Sequence, residues 1–176
     1  DTVDEKNFLE VFHLQTSEKI WERKFASIMP CYPTFADGTL FLATQSSQLE
    51  EMVATGFLPP RLKHGHLFAF DCATGDYKWR ETATPGPIVG TPIWQEDLLY
   101  VPYREGITVH DAQRGKRLRK WTFGGGRINA PAAIKGELLL CTLSEGVVAR
   151  NIRTGRRAWE FRVPVGLEAR FHDLVH

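Results

Sequence analysis

Apolar and polar residues alternate along this chain in short runs bounded by Gly, Asp and Asn, and the runs repeat. His66–Gly75 superimposes on Gly106–Gly115 and on Gly146–Gly155, which sets Gly75, Gly115 and Gly155 forty residues apart. A fourth, earlier copy spans Leu9–Trp21, with His13 at the Asp/Asn position and Ser17 at the glycine position. In each copy one strand face is apolar, through Leu9 and Val11, Leu67 and Ala69, Ile107 and Val109, Val147 and Ala149. The alternate positions are mixed: Glu10 and Phe12, Phe68 and Phe70, Thr108 and His110, Val148 and Arg150. Asp71, Asp111 and Asn151 each precede a glycine by four residues. A short acceptor bonds the backbone of a tight turn, and glycine supplies the positive φ. Each copy therefore predicts a strand, a turn and a second strand.

Four residues beyond the turn glycine or its equivalent stand Trp21, Trp79 and Trp159; in the third copy Arg119 holds that place and Trp121 follows. Between copies lies a second predicted hairpin. Its strands run through Tyr32–Phe35 and Thr39–Ala43, then Thr91–Trp94 and Leu98–Val101, then Ala130–Ala133 and Leu138–Cys141. Asp37-Gly38, Glu96-Asp97 and Lys135-Gly136-Glu137 form its turns. Four short antiparallel strands per forty residues is the blade of an all-β propeller. Blades are expected near 1–25, 26–81, 82–121 and 122–161, with a further one starting at 162–176.

The segment Ala69-Phe70-Asp71-Cys72-Ala73-Thr74-Gly75, with Trp79 behind it, resembles the tryptophan-docking repeat of quinoprotein-like (PQQ-like) propellers. The resemblance covers nearly the whole chain. It implies that Trp21, Trp79, Trp121 and Trp159 are structural, each indole lying on the neighbouring blade with its N–H on a backbone acceptor. Trp121, two residues past the consensus place, is expected to matter less. Rings of this family usually have seven or eight blades, and about four are expected here. The rest are expected from a larger chain or from a second copy. Members include PQQ-dependent alcohol dehydrogenases, a lipoprotein assisting outer-membrane protein assembly, and sensor domains, so fold alone does not give function.

One spacing departs from forty. An insertion falls at 45–65, where Ser47-Gln48-Leu49-Glu50 has a capping-box pattern and predicts a short helix over 48–54. Phe57-Leu58-Pro59-Pro60 then forms an apolar, stiff segment. Loops joining second and third strands share a rim with the blade-to-blade connections. The partner-binding candidates gather on this rim: Phe57, Leu58, Arg104, Arg127 and Arg170, an apolar anchor beside guanidinium groups.

Composition narrows the choices. The 176 residues carry a net charge of +1, with 43% hydrophobic and 24% charged. That is an ordinary globular mix, with no charge excess directing it to nucleic acid. No apolar run approaches the length of a membrane span. The acidic, polar first residues do not read as a signal peptide. Cys31, Cys72 and Cys141 are odd in number, far apart and set in apolar strand-like runs. They read as small buried hydrophobes, leaning towards a reducing, cytoplasmic setting and leaving periplasmic or extracellular ones open.

A PQQ enzyme of the resembling family implies a catalytic Asp, acidic and amide calcium ligands, and often an adjacent cysteine pair, which is absent here. Asp71 and Asp111 read as turn residues. His64-Gly65-His66 lacks a third ligand at metal spacing and reads as a solvated loop. Gly124-Gly125-Gly126-Arg127 lacks the strand-to-helix setting of a phosphate loop. The basic run Arg114–Lys120 reads as a solvated outer edge that deters strand pairing. No catalytic residue, metal ligand or cofactor is assigned. The expectation is a non-catalytic module for protein interaction, scaffolding or ligand sensing; the alternative is part of a PQQ-dependent oxidoreductase.

Overall fold

In the computed structural model, which describes residues 7–25, 31–45, 65–124, 126–128, 130 and 132–163, the repeats become four antiparallel sheets. The first sheet holds β1 (Asn7–Phe12) and β2 (Lys19–Phe25). The second holds β3 (Thr34–Ala36), β4 (Thr39–Gln45), β5 (Gly65–Asp71) and β6 (Tyr77–Thr84). The third contains β7 (Ile93–Gln95), β8 (Leu98–Tyr103), β9 (Gly106–Asp111) and β10 (Arg117–Thr122). The fourth contains β11 (Ala133–Lys135), β12 (Leu138–Leu143), β13 (Gly146–Asn151) and β14 (Arg157–Arg162). Strands follow chain order across each sheet, so the fold is all-β and each four-stranded sheet is a meander. No element among the described residues is a helix, and so none is long and apolar enough to cross a membrane. The helix expected over 48–54, Phe57 and Leu58 lie outside the described residues.

The turns between third and fourth strands share one geometry. Asp71 Oδ1 accepts from the backbone N–H groups of Ala73 and Thr74 at 3.0 and 3.1 Å. Asp111 does the same for Gln113 and Arg114, and Asn151 for Arg153 and Thr154. In the first sheet His13 takes this part, its Nδ1 accepting from Thr16 N at 3.4 Å. Gly75, Gly115 and Gly155 adopt φ of 72°, 74° and 70°, and Ser17 follows them at 58°. A side chain at this φ is strained, and at Gly115 there is also no room: a Cβ would sit 2.6 Å from the Trp79 ring.

Each interface between consecutive sheets has its own apolar cluster. Trp21 packs with Leu40, Leu42 and Phe70; Phe41, Ala43, Leu67 and Ala69 pack with Leu99 and Val101; Tyr100, Ile107, Val109 and Trp121 pack with Leu139, Cys141 and Val148. The second and third sheets thus bury both faces. In the second to fourth sheets the alternate strand positions, mixed in sequence, are interior as well: Phe70, Thr108, His110 and Val148 are all buried. They face the preceding sheet, where Phe70 lies 6.1 Å from Trp21 and Arg150 lies 5.8 Å from the Trp121 ring.

Trp21 Nε1 donates to the Cys72 carbonyl at 2.9 Å, and Trp79 Nε1 donates to the Ala112 carbonyl at 2.9 Å. At the third interface the two parts are separated. Arg119 Nη1 donates to the carbonyls of Ile152 and Arg153 at 3.4 and 3.1 Å, while Trp121 covers Gly155 as Trp79 covers Gly115. Arg119 therefore belongs to an interface between sheets, although the rest of β10 is largely exposed as a solvated edge would be. Trp159 on β14 is exposed.

The cysteines depart from their expected setting. Cys141 alone lies in a strand and is buried; Cys72 is in a turn, and Cys31 precedes β3 with its Sγ 3.3 Å from the Ala43 carbonyl. All three are free thiols. Gly65 and His66 open strand β5 instead of forming a solvated loop, because His66 pairs with Thr44 on β4.

Candidate functional site

The loops joining second and third strands meet the sheet-to-sheet connections along one rim. Arg104 N donates to Pro87 O at 2.9 Å, and Arg104 O accepts from Ile128 N at 2.8 Å. Arg127 O accepts from Ser144 N at 2.9 Å, and Arg127 N approaches Ser144 Oγ at 3.4 Å. Glu105 and Glu145 take part too, through Phe123 N at 3.3 Å and Val163 N at 2.8 Å. Bridges from Ile88 to Tyr103 and from Ile128 to Leu143 tie the same segments to the sheets. Backbone hydrogen bonds thus fix the rim. Arg104 is half-buried and Arg127 is exposed.

Beside this rim, a cleft of about 370 Å³ runs between the third and fourth sheets, lined by Phe123, Gly126, Glu145, Arg150, Glu160 and Arg162 among others. Arg150 forms its floor. Its guanidinium donates to Gly155 O at 2.7 Å and Thr122 O at 3.2 Å, and lies 5.0 Å from the Phe123 ring. Nε is buried without a partner. Burial holds the Arg150 pKa below its usual value. Glu160 is held below the usual carboxylate range, chiefly by its hydrogen bond from Arg162 at 2.6 Å; Arg157 also pairs with it.

The fit to a quinone and its calcium can be tested on the donor set. Among the described residues no three His, Cys, Asp or Glu side chains converge as a metal would require. Asp71 and Asp111 each use Oδ1 to accept from two turn N–H groups. Main-chain hydrogen bonding holds the Asp71 carboxyl below the usual range. Asp71 and Asp111 thus serve as turn residues in this structure.

Residues 6–169 match the family model described as outer membrane protein assembly factor BamB, a PQQ-like repeat family. The chain belongs to this family. No curated protein matches the chain. Among solved structures, the chain is similar to BamB from Moraxella catarrhalis at 16% identity and a TM-score of 0.66, covering 90% of this chain and 44% of that one. A quinohemoprotein alcohol dehydrogenase from Pseudomonas putida gives 14% identity and 0.64, covering 89% and 32%. The computationally designed Ika8 protein gives 11% identity and 0.62, covering 86% and 42%. At these identities the likeness shows the PQQ-like propeller fold. The chain spans less than half the length of each.

Of the residues singled out from sequence, the structure brings Arg104 and Arg127 to one rim. Arg170, Phe57 and Leu58 lie outside the described residues. Sequence reasoning passed over Arg150, Glu105 and Glu145. For Arg150 one signal existed: it is a cation at the position where the second sheet has Phe70, which marks an interior place.

Proposed function

We infer that this chain is a non-catalytic propeller module that binds a protein partner through the rim of connecting loops bearing Arg104 and Arg127. The observation carrying this reading is the hydrogen-bonded ridge from Pro87 through Arg104 to Ile128, and from Arg127 to Ser144. A backbone fixed in this way presents two guanidinium groups without a backbone ordering cost on binding, and arginine pairs well with carboxylates. Glu105 and Glu145 on the same rim call for a partner surface of mixed charge with acidic groups opposite the arginines. The sequence-predicted Phe57, Leu58 and Arg170 would extend this surface. The tryptophans on β2, β6 and β10 are structural in this reading and hold sheet to sheet; Trp159 on β14 would do the same against a further sheet. The description of the family as an assembly factor accords with a scaffold.

The second reading, part of a PQQ-dependent oxidoreductase, has the dehydrogenase likeness in its favour. One experiment separates the two. Purified protein is mixed with PQQ and calcium, then assayed for bound-cofactor absorbance and dye-linked alcohol oxidation. Neither is expected; a bound-quinone spectrum would overturn the module reading. Reversing both rim charges, Arg104→Glu with Arg127→Glu, should then weaken retention of the native partner at least tenfold, about 1.4 kcal/mol. The melting temperature should stay unchanged.

A further inference from the structure

Between the third and fourth sheets, the half-buried guanidinium of Arg150 meets no carboxylate among the described residues. It donates to the carbonyls of Gly155 and Thr122 at 2.7 and 3.2 Å, and the rings of Phe123 and Trp121 stand 5.0 and 5.8 Å away. These bonds use two of its five N–H groups, and Nε is buried without a partner. Glu160 lines the same cleft, but its Oε1 pairs with Arg162 and its Oε2 with Arg157. Carbonyl dipoles and ring faces offset only part of the cost of withdrawing a cation from water, and an anion offsets more.

The fold itself asks for no charge at this place. Arg150 precedes the turn residue Asn151 as Phe70 precedes Asp71 and His110 precedes Asp111. Phe70 and His110 are buried there, and burial disfavours the charged form of His110. His110 Nδ1 bonds Gly115 O at 2.9 Å as Arg150 bonds Gly155 O, so a neutral residue serves the turn equally. What Arg150 adds is a positive charge on the wall of the 370 Å³ cleft. Arg156, Arg157 and Arg162 line it too, against Glu145 and Glu160, which leaves the lining net positive. The cleft is open along β14. By cross-strand pairing, the counterparts of Arg157, Glu160 and Arg162 on β10 are Arg117, Lys120 and Thr122. All three are exposed, although the third sheet has a neighbour on each side. Solvent access at this edge is therefore a property of the blade and not of its place in the chain.

We propose that this cleft binds a small organic anion, its carboxylate or phosphate group on Arg150 and its apolar part against Phe123. A guanidinium fork matches either oxyanion. The two carbonyl bonds already hold the fork in place, so little side-chain freedom is lost on binding. The volume lies in the range of small-molecule sites. Arg104 and Arg127 do not line the cleft, so this site stands apart from the proposed partner surface.

Isothermal titration of the full chain with phenyl phosphate and with benzoate tests this and tells which head group is taken. Saturable one-to-one binding of at least one of them is expected, with Kd below about 1 mM. Benzyl alcohol, which has the ring without the charge, should not bind. Arg150→Phe places there the residue of the second sheet; it should keep the wild-type urea midpoint and weaken binding at least tenfold. Glu160→Gln should tighten binding, because it frees Arg157 and Arg162 for the ligand. If Arg150→Phe does not fold, Arg157→Gln with Arg162→Gln, both at exposed positions, takes its place with the same expected loss. Amide shifts on titration should centre on Thr122, Phe123 and Val148. No saturation with either probe by about 10 mM would overturn the proposal. So would equal affinity in wild type and Arg150→Phe, or shifts centred elsewhere in the chain.

Discussion

Arg119 Nη1 bonds the Ile152 carbonyl at 3.4 Å, the acceptor equivalent to the one that Ala112 gives the indole of Trp79 at 2.9 Å. The third interface keeps both halves of the contact, the polar one and the aromatic one, on two residues instead of one. A guanidinium reaches farther than an indole, so the ring can move two positions along β10 and still cover the turn glycine.

Trp79→Ala should destabilise by about 3–5 kcal/mol, the usual cost of truncating a large aromatic packed in a core. The structure revises the expectation for Trp121. It is buried against Tyr100 with ring centroids 5.9 Å apart, so Trp121→Ala should fall in the same range. Arg119→Ala should cost less than either, as its head group is partly solvated. Urea melts of the three variants rank them. A Trp121→Ala midpoint equal to wild type would show that its ring adds nothing at the third interface.

Much of this was legible in sequence, for a physical reason. Turn chemistry is local: Asp71 with Gly75, and its copies, fix the hairpins within five residues, and the forty-residue spacing follows. Burial is not local. Thr108, His110 and Arg150 look like a polar strand face, yet each lies against the preceding sheet, because stacked blades bury both faces. The basic run on β10 likewise hid Arg119, whose acceptor is more than thirty residues away. On the rim, sequence placed Arg104 and Arg127 together through the propeller pattern, but it could not show the cleft floored by Arg150.

Ser17→Gly should stabilise the protein. Ser17 has φ of 58° at the place where the other three sheets have glycine. The left-handed conformation costs a side-chain-bearing residue about 1–2 kcal/mol, offset in part by the greater freedom of glycine in the unfolded chain. A net gain of about 0.5–1 kcal/mol is expected in chemical denaturation. A loss would mean that the Ser17 side chain contributes to the turn.

The thiols should label in a fixed order. Burial pushes Cys141 up to about 12 and Cys31 up to about 11. Thiolate is the reactive form, so at about pH 8 both are almost wholly protonated and shielded. Cys72, in a turn, should react with iodoacetamide first. Cys141 should be modified only on unfolding, so mass spectrometry of a partly labelled sample should find it unmodified.

His110 should make the protein lose stability as pH falls just below neutrality. Its Nδ1 lies 2.9 Å from Gly115 O, and a carbonyl can only accept, so Nδ1 carries the proton. Nε2 is then a buried lone pair without a partner. Burial first, and Arg117 in the same direction, hold the folded pKa below the usual 6.5, against the opposing pull of the Gly115 bond and Glu81. Between the lowered folded value and 6.5, the unfolded chain binds more protons than the folded one. The stabilising difference is therefore complete above 6.5 and is lost as pH falls towards the folded value. Carboxylates such as Asp71 and Glu160 act only near and below their ordinary 3.8 and 4.5, which separates the two windows. His110→Phe places in the third sheet what Phe70 supplies in the second. It should match or exceed wild type at neutral pH and flatten the melting temperature from about pH 7.5 to 5.5. If the variant keeps the wild-type slope, another histidine controls it; if wild type has no slope, His110 meets solvent on opening and is protonated without penalty.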